Sequence, residues 1–154
     1  DIGHTVFHES SREIIQKYKK LGHNQLFLSD PIKFSEILLE NRIRQYENAE
    51  KLNFKNIFFD RGIPDILAYL TYKNVSFGKN FDDPSNNLRY DYVFIAEPWE
   101  KIFKNDEERY ESFEELKIIN KHIKTTYSGN GYDYFILPED SIEQRVNFII
   151  KTIK

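Results

Sequence analysis

Cysteine and methionine are both absent from this chain, and tryptophan occurs once. Without cysteine there is no disulfide and no thiolate metal ligand, a composition that suits a reducing compartment, so a cytoplasmic location is expected. No apolar run reaches the roughly 20 residues of a membrane span, and no secretory signal pattern opens the chain. A soluble protein without a membrane partner is therefore expected. A strong charge of either sign is also missing, because 22 Lys and Arg face 25 Asp and Glu for a formal net charge of -3. That balance offers no global attraction to nucleic acid, which is not expected as a partner, and any anionic ligand must be held by charges placed locally. What is present is a chain of 154 residues, 40% hydrophobic and 16% aromatic, enough for one ordinary core and too short for two comfortable ones. A single domain over residues 1–154 is the expectation.

Four short apolar runs alternate with helical sequence. Thr5-Val6-Phe7-His8 is β-prone, and Glu9-Ser10-Ser11 after it carries residue types that start a helix, which should run to about Leu21 and stop at Gly22. Ser29-Asp30-Pro31 sets a capping side chain before a first-turn proline, and Leu39, Ile43, Tyr46 and Ala49 share one face of the long helix that follows. Asn56-Ile57-Phe58-Phe59-Asp60 reads as a strand covered on both faces, and Arg61-Gly62-Ile63-Pro64-Asp65 turns it into a helix reaching about Tyr72. Residues 75–90, rich in Asn, Asp, Gly and Pro, read as a mobile loop or a short helix. Tyr92 to Ala96 is a third buried strand, ending at Glu97-Pro98. Residues 105–127 form a charged helix closed by Gly129-Asn130-Gly131. Tyr132 to Leu137 is a fourth strand, ahead of a last helix with Ile142, Val146, Ile149 and Ile153 on one face. The alternation predicts an α/β fold with one mostly parallel sheet and helices on both of its faces.

In such a sheet the ligand crevice lies outside the carboxyl ends of the strands. Polar residues directly after the apolar runs are the first site candidates, and they are Glu9, Asp60 with Arg61, and Glu97. An acid beside an arginine at a buried strand's end suits Mg²⁺ and phosphate oxygens together. For Glu97 a helix-capping role competes, since acids favour the first turn beside the helix dipole. Other patterns are weaker. His8-Glu9-Ser10-Ser11-Arg12 opens like a zinc-protease helix but has Arg12 where the second histidine is required. The 10 Tyr and 13 Phe fall mostly on core-facing periods, and the acidic balance speaks against a groove that tracks single-stranded nucleic acid.

The segment Phe59-Asp60-Arg61-Gly62-Ile63-Pro64-Asp65 has His8-Glu9-Ser10-Ser11-Arg12-Glu13-Ile14-Ile15 ahead of it and Asn105-Asp106-Glu107-Glu108-Arg109-Tyr110-Glu111 after it. Together they resemble a family of small bacterial AAA-type ATPases, P-loop proteins similar to nicotinamide riboside kinase and more distantly to thymidylate and deoxynucleoside kinases. The resemblance covers nearly the whole chain in order, and Pro98-Trp99-Glu100 fits it too. It implies a three-layer P-loop-kinase-like fold, with ATP as co-substrate and Mg²⁺ as cofactor. Asp60 would then take the Walker-B-like position, holding Mg²⁺ or accepting a proton from the attacking hydroxyl. Arg61 would bind the substrate or the group in transfer, and Glu9 would face the acceptor and act as base. Arg12 would contact substrate or pair with a neighbouring acid, and Glu97 would belong to the substrate side. Arg109 would close over the phosphates from a lid and stabilise transition-state charge. Asp65 would cap and orient the following helix.

The family's phosphate-binding loop, Gly-x-x-x-x-Gly-Lys-Ser/Thr, surrounds the phosphates with backbone N–H groups and sets a lysine against their charge. This sequence has none: its one Gly-Lys pair, Gly78-Lys79, is followed by Asn80, and Lys73 stands where the earlier glycine belongs. In the family the loop precedes the segment resembling Asp1 to Glu9. With Asp1 first and no Met, the expectation is a chain lacking the first strand and its loop. Two functional readings follow. One is an ATP-dependent phosphotransferase or ATPase whose acceptor is a nucleoside, a nucleotide or another small hydroxyl compound. The other is a nucleotide-binding regulatory or interaction module with weak catalysis or none.

Overall fold

The computed structural model describes residues 4–21, 26–103 and 111–153, with Arg12 described only as a position in its helix. The chain divides into two compact units, Asp1–Arg89 and Tyr90–Lys154.

In the first unit the order is β1 (Thr5–Phe7), α1 (Ser11–Lys20), α2 (Leu26–Ser29), α3 (Pro31–Glu50), β2 (Ile57–Phe59), α4 (Pro64–Tyr72) and α5 (Lys79–Asn87). β1 and β2 pair in parallel, with Thr5 opposite Ile57, Val6 opposite Phe58 and Phe7 opposite Phe59. Parallel strands need a long crossover, and the three helices between them supply it. Phe7 and Phe59 stack at 5.3 Å between ring centroids, a cross-strand aromatic pair that fixes the register. α3 starts where the sequence says it should: the Asp30 carboxylate accepts the Lys33 N–H at 2.9 Å, and Pro31 occupies the first turn. It buries Phe34, Leu38 and Leu39 against Ile63, Ile66, Leu67 and Leu70 around α4, of which Ile63 and Leu70 are 0% exposed. Each such side chain contributes about 1.5–3 kcal/mol relative to exposure, so this apolar centre is what holds the unit together.

One expectation is narrowed here and one is corrected. Of the two alternatives for residues 75–90 the short helix is the one found, α5 at Lys79–Asn87, because Phe81 and Ser85 are buried and Phe81 belongs to the central cluster. β2 is half-buried along its length and not covered on both faces.

The second unit runs β3 (Phe94–Ile95), a 3₁₀ turn at Glu100–Ile102, α6 (Phe113–Gly129), β4 (Phe135–Ile136) and α7 (Ile142–Thr152). β3 and β4 are also parallel, Phe94 opposite Phe135 and Ile95 opposite Ile136. α6 opens on a reciprocal cap: the Ser112 hydroxyl accepts from Glu115 N–H while the Glu115 carboxylate accepts from Ser112 N–H. It closes at Asn130, and Gly131 takes φ 72°, a left-handed turn that suits glycine. The core here is small, with Val93, Ile95, Tyr127 and Tyr132 at its centre. α7 has no buried residue, and Ile142 is 74% exposed.

The four expected strands are thus all present and parallel in pairs, but they form two two-stranded sheets and not one four-stranded sheet, since no described strand bonds to both pairs. The charged helix expected over 105–127 starts later, at Phe113, where Ser112 is extended and caps it; residues 104–110 and Gly22 lie outside the described residues. No described helix is long and apolar enough to cross a membrane.

Candidate functional site at the ends of the first strand pair

β1 and β2 end side by side, and the ladder continues one step further through the Asp60 N–H, which donates to Phe7 O at 2.8 Å. The polar residues that follow each strand therefore emerge together. Glu9, two residues past β1, accepts the Ser11 N–H at 3.2 Å through Oε1. It does this in place of Ser10, whose own side chain makes no capping bond to α1. The other carboxylate oxygen, Oε2, lies 4.0 Å from Arg61 Nε. Asp60 is exposed at the strand end.

Arg61 reaches this position through an unusual backbone. It has φ 91°, in the left-handed region that side chains with a Cβ avoid. Its guanidinium donates from Nη1 to Asp65 Oδ1 at 3.4 Å and remains 49% exposed. Burial, the largest single influence, pulls its pKa down, but the carboxylates of Asp65, Glu9 and Asp60 together outweigh it and hold the pKa above an arginine's ordinary value. The turn itself is closed by Asp65, whose Oδ2 accepts the Gly62 N–H at 2.9 Å. This is the orienting role expected of Asp65.

One residue of the cluster escaped the sequence reading. Arg42, on α3, is only 8% exposed. Its Nη1 donates to Gly62 O at 2.6 Å, and its Nη2 stands 3.9 Å from Glu9 Oε1. Nearby, Gln45 Nε2 donates to His8 O at 3.0 Å, a second tie from α3 to the end of β1.

The structure thus brings together Glu9, Asp60 and Arg61, the first and third within 4.0 Å. Glu97 belongs to the second unit, where it is ion-paired with Lys124 of α6. The Arg12 side chain and the whole of Arg109 lie outside the described residues. The second unit also has a concavity of about 280 Å³ lined by Glu97, Trp99, Phe103, Leu137 and Arg145 among others. Two buried N–H groups beside it, Trp99 Nε1 and Arg145 Nε, find no acceptor among the described residues.

Among the described residues no three His, Cys, Asp or Glu side chains gather as a metal cage. Asp60 offers a single carboxylate, which is what Mg²⁺ takes when most of its other ligands are substrate phosphates and water. Among the described residues, Asp60 is the one strand-end carboxylate that would supply such a ligand beside Arg61.

No curated protein matches this sequence. Among solved structures, the chain is similar to deoxyadenosine kinase from M. mycoides in three ligand states. With the products dCMP and a flexible dCDP bound, the TM-score is 0.59 at 19% identity. With bound dCTP it is 0.56 at 19%, and with bound dATP 0.57 at 21%. In each case 97% of this chain and 97% of the other are covered. At this level of identity the likeness is one of fold, and function must be argued from the site. The AAA domain family matches residues 1–145, nearly the full length. Sequence match and architecture agree, and the chain belongs to the AAA domain family with a P-loop-kinase-like α/β fold.

Proposed function

We propose that this chain is an ATP-dependent phosphotransferase acting on a nucleoside or nucleotide, with the acceptor held at the ends of β1 and β2. The observation that carries the reading is the meeting of Glu9, Asp60 and Arg61 beyond the carboxyl ends of β1 and β2. Similar solved structures hold dATP, dCTP and dCMP, which supports a nucleotide as ligand.

Phosphoryl transfer asks little covalent chemistry of a protein and much positioning and charge stabilisation. In this reading the acceptor hydroxyl donates its proton to Glu9 as its oxygen bonds to the γ-phosphorus. The bond from that phosphorus to the bridging oxygen breaks, and ADP leaves. Arg61, still half exposed, turns its free N–H groups to the phosphoryl oxygens, where a planar guanidinium binds in two places at once. Mg²⁺ bound with the triphosphate supplies charge neutralisation, and Asp60 is the carboxylate placed to hold it. Arg12, on α1, is the candidate for a contact on the substrate side.

The test is transfer from ATP to a panel of nucleosides and nucleotides by a protein that carries a Gly-Lys-Ser/Thr loop ahead of residue 1. Asp60→Asn and Glu9→Gln each keep size and remove charge, so turnover should fall at least about a hundredfold, the usual scale for losing such a group. Unchanged turnover in both variants overturns the assignment. Tight nucleotide binding with no transfer to any acceptor would favour the regulatory module instead.

A further inference from the structure

We infer that Arg42 is a positioning residue for this site: with Asp65 it clamps Gly62 from both sides and so forces the left-handed turn onto Arg61. The inference rests on the reading of Glu9 and Arg61 as site residues, and it adds a residue that the strand-end rule does not reach. The chain leaves β2 with the Asp60 N–H tied to Phe7 O at 2.8 Å. Two residues later both sides of Gly62 are fixed, its N–H by Asp65 Oδ2 at 2.9 Å and its C=O by Arg42 Nη1 at 2.6 Å. Only Asp60 and Arg61 remain to turn the chain between these anchors. The positive φ falls on Arg61, at 91°, and not on Gly62, where it would cost nothing sterically.

A side chain held in that region pays a penalty equivalent to roughly five- to thirtyfold in an equilibrium constant. Such strain persists only where surrounding bonds over-determine it. Arg42 is the bond that decides, because releasing the Gly62 carbonyl lets the positive φ move one residue on, to the glycine, and swings the Arg61 side chain away from Glu9. The same guanidinium faces Glu9 at 3.9 Å, so one buried cation governs both partners of the pair. A lysine at 42 keeps the charge but has no fork to serve both groups.

The experiment compares Arg61→Gly with Arg61→Ala by denaturant unfolding, once with Arg42 intact and once with Arg42→Met. Both changes at 61 lose the same side-chain contacts, so their difference reports only the backbone strain at that position. With Arg42 intact, glycine should fold more favourably than alanine by about fivefold, because only alanine is strained at positive φ. With Arg42→Met the advantage should vanish or reverse, since a free glycine loses more entropy on folding. Should the Arg42→Met chain not fold, Arg42→Lys is read in the same way. An equal glycine advantage in both backgrounds overturns the proposal, and shows Arg42 to be a general structural support. The readout is a folding equilibrium, so it gives its answer whether or not the wild-type protein transfers phosphate.

Discussion

At Arg61 the three nearby carboxylates outweigh the cost of burial, and the folded-state pKa lies above that of an unfolded arginine. A cation whose pKa is raised on folding contributes stability that is complete below the unfolded value and is lost only as pH climbs through the folded one. For arginine that window lies far above any assay. Between roughly pH 8 and 9, where the terminal phosphate is already fully ionised, the ratio of nucleotide affinities, wild type over Arg61→Ala, should therefore stay flat. A ratio that changes with pH in binding titrations would place the phosphate contact on a different group. The strand-end acids and Arg61 were legible in the sequence because they follow apolar runs directly. Arg42 was not. It lies in the four-step row Phe34, Leu38, Arg42, where an isolated charge on an apolar stripe is normally taken to reach out to water. Its partner is the carbonyl of Gly62, twenty positions later, and no local pattern announces that bond.

Helix starts have local chemistry, but only some were legible. Asp30 before Pro31 caps as read, accepting from Lys33, whereas the caps of α6 and α7 were not picked out, and at α7 it is Ser141 that accepts from Gln144. Ser112 and Glu115 satisfy each other's backbone donors at the start of α6. Ser112→Ala removes one half of that pair and should lower stability by about 1 kcal/mol, measured as a shift in the denaturant midpoint without a change in slope. At the other end of α6, Gly131→Ala meets no atom within 4 Å, yet its φ of 72° makes it costly. The loss of about 1 kcal/mol expected there would come from backbone strain alone. Helix α5 was less legible because Asn, Asp and Pro carry turn signals, while the burial of Phe81 that decides the matter is tertiary. The strand runs were placed correctly, but how many of them would join one sheet depends on long-range pairing that no single run encodes.

Across the whole molecule, stability should be uneven. Among the described residues, eleven buried ones make up the cluster of the first unit and four that of the second, which sets the order in which amides open. Amide exchange should be slowest across Pro64–Tyr72, whose apolar residues are almost wholly excluded from solvent, and fastest across Ile142–Thr152, which has no buried residue. Comparable protection of these two helices would contradict that ranking. Leu70→Ala, at a fully buried site, should cost about 2–5 kcal/mol, while a truncation of the exposed Ile142 should stay within about 0.5 kcal/mol.

The position of Trp99 has a spectroscopic consequence. It is the one tryptophan of the chain, and it belongs to the unit with the smaller core. Tryptophan emission therefore reports the surroundings of residue 99, whereas far-UV ellipticity sums the helices of both units. On heating, the emission midpoint should precede the ellipticity midpoint, and the gap between the two curves would measure how far the units melt apart. No dye, label or added chromophore is needed, because the fluorophore already marks one half of the molecule.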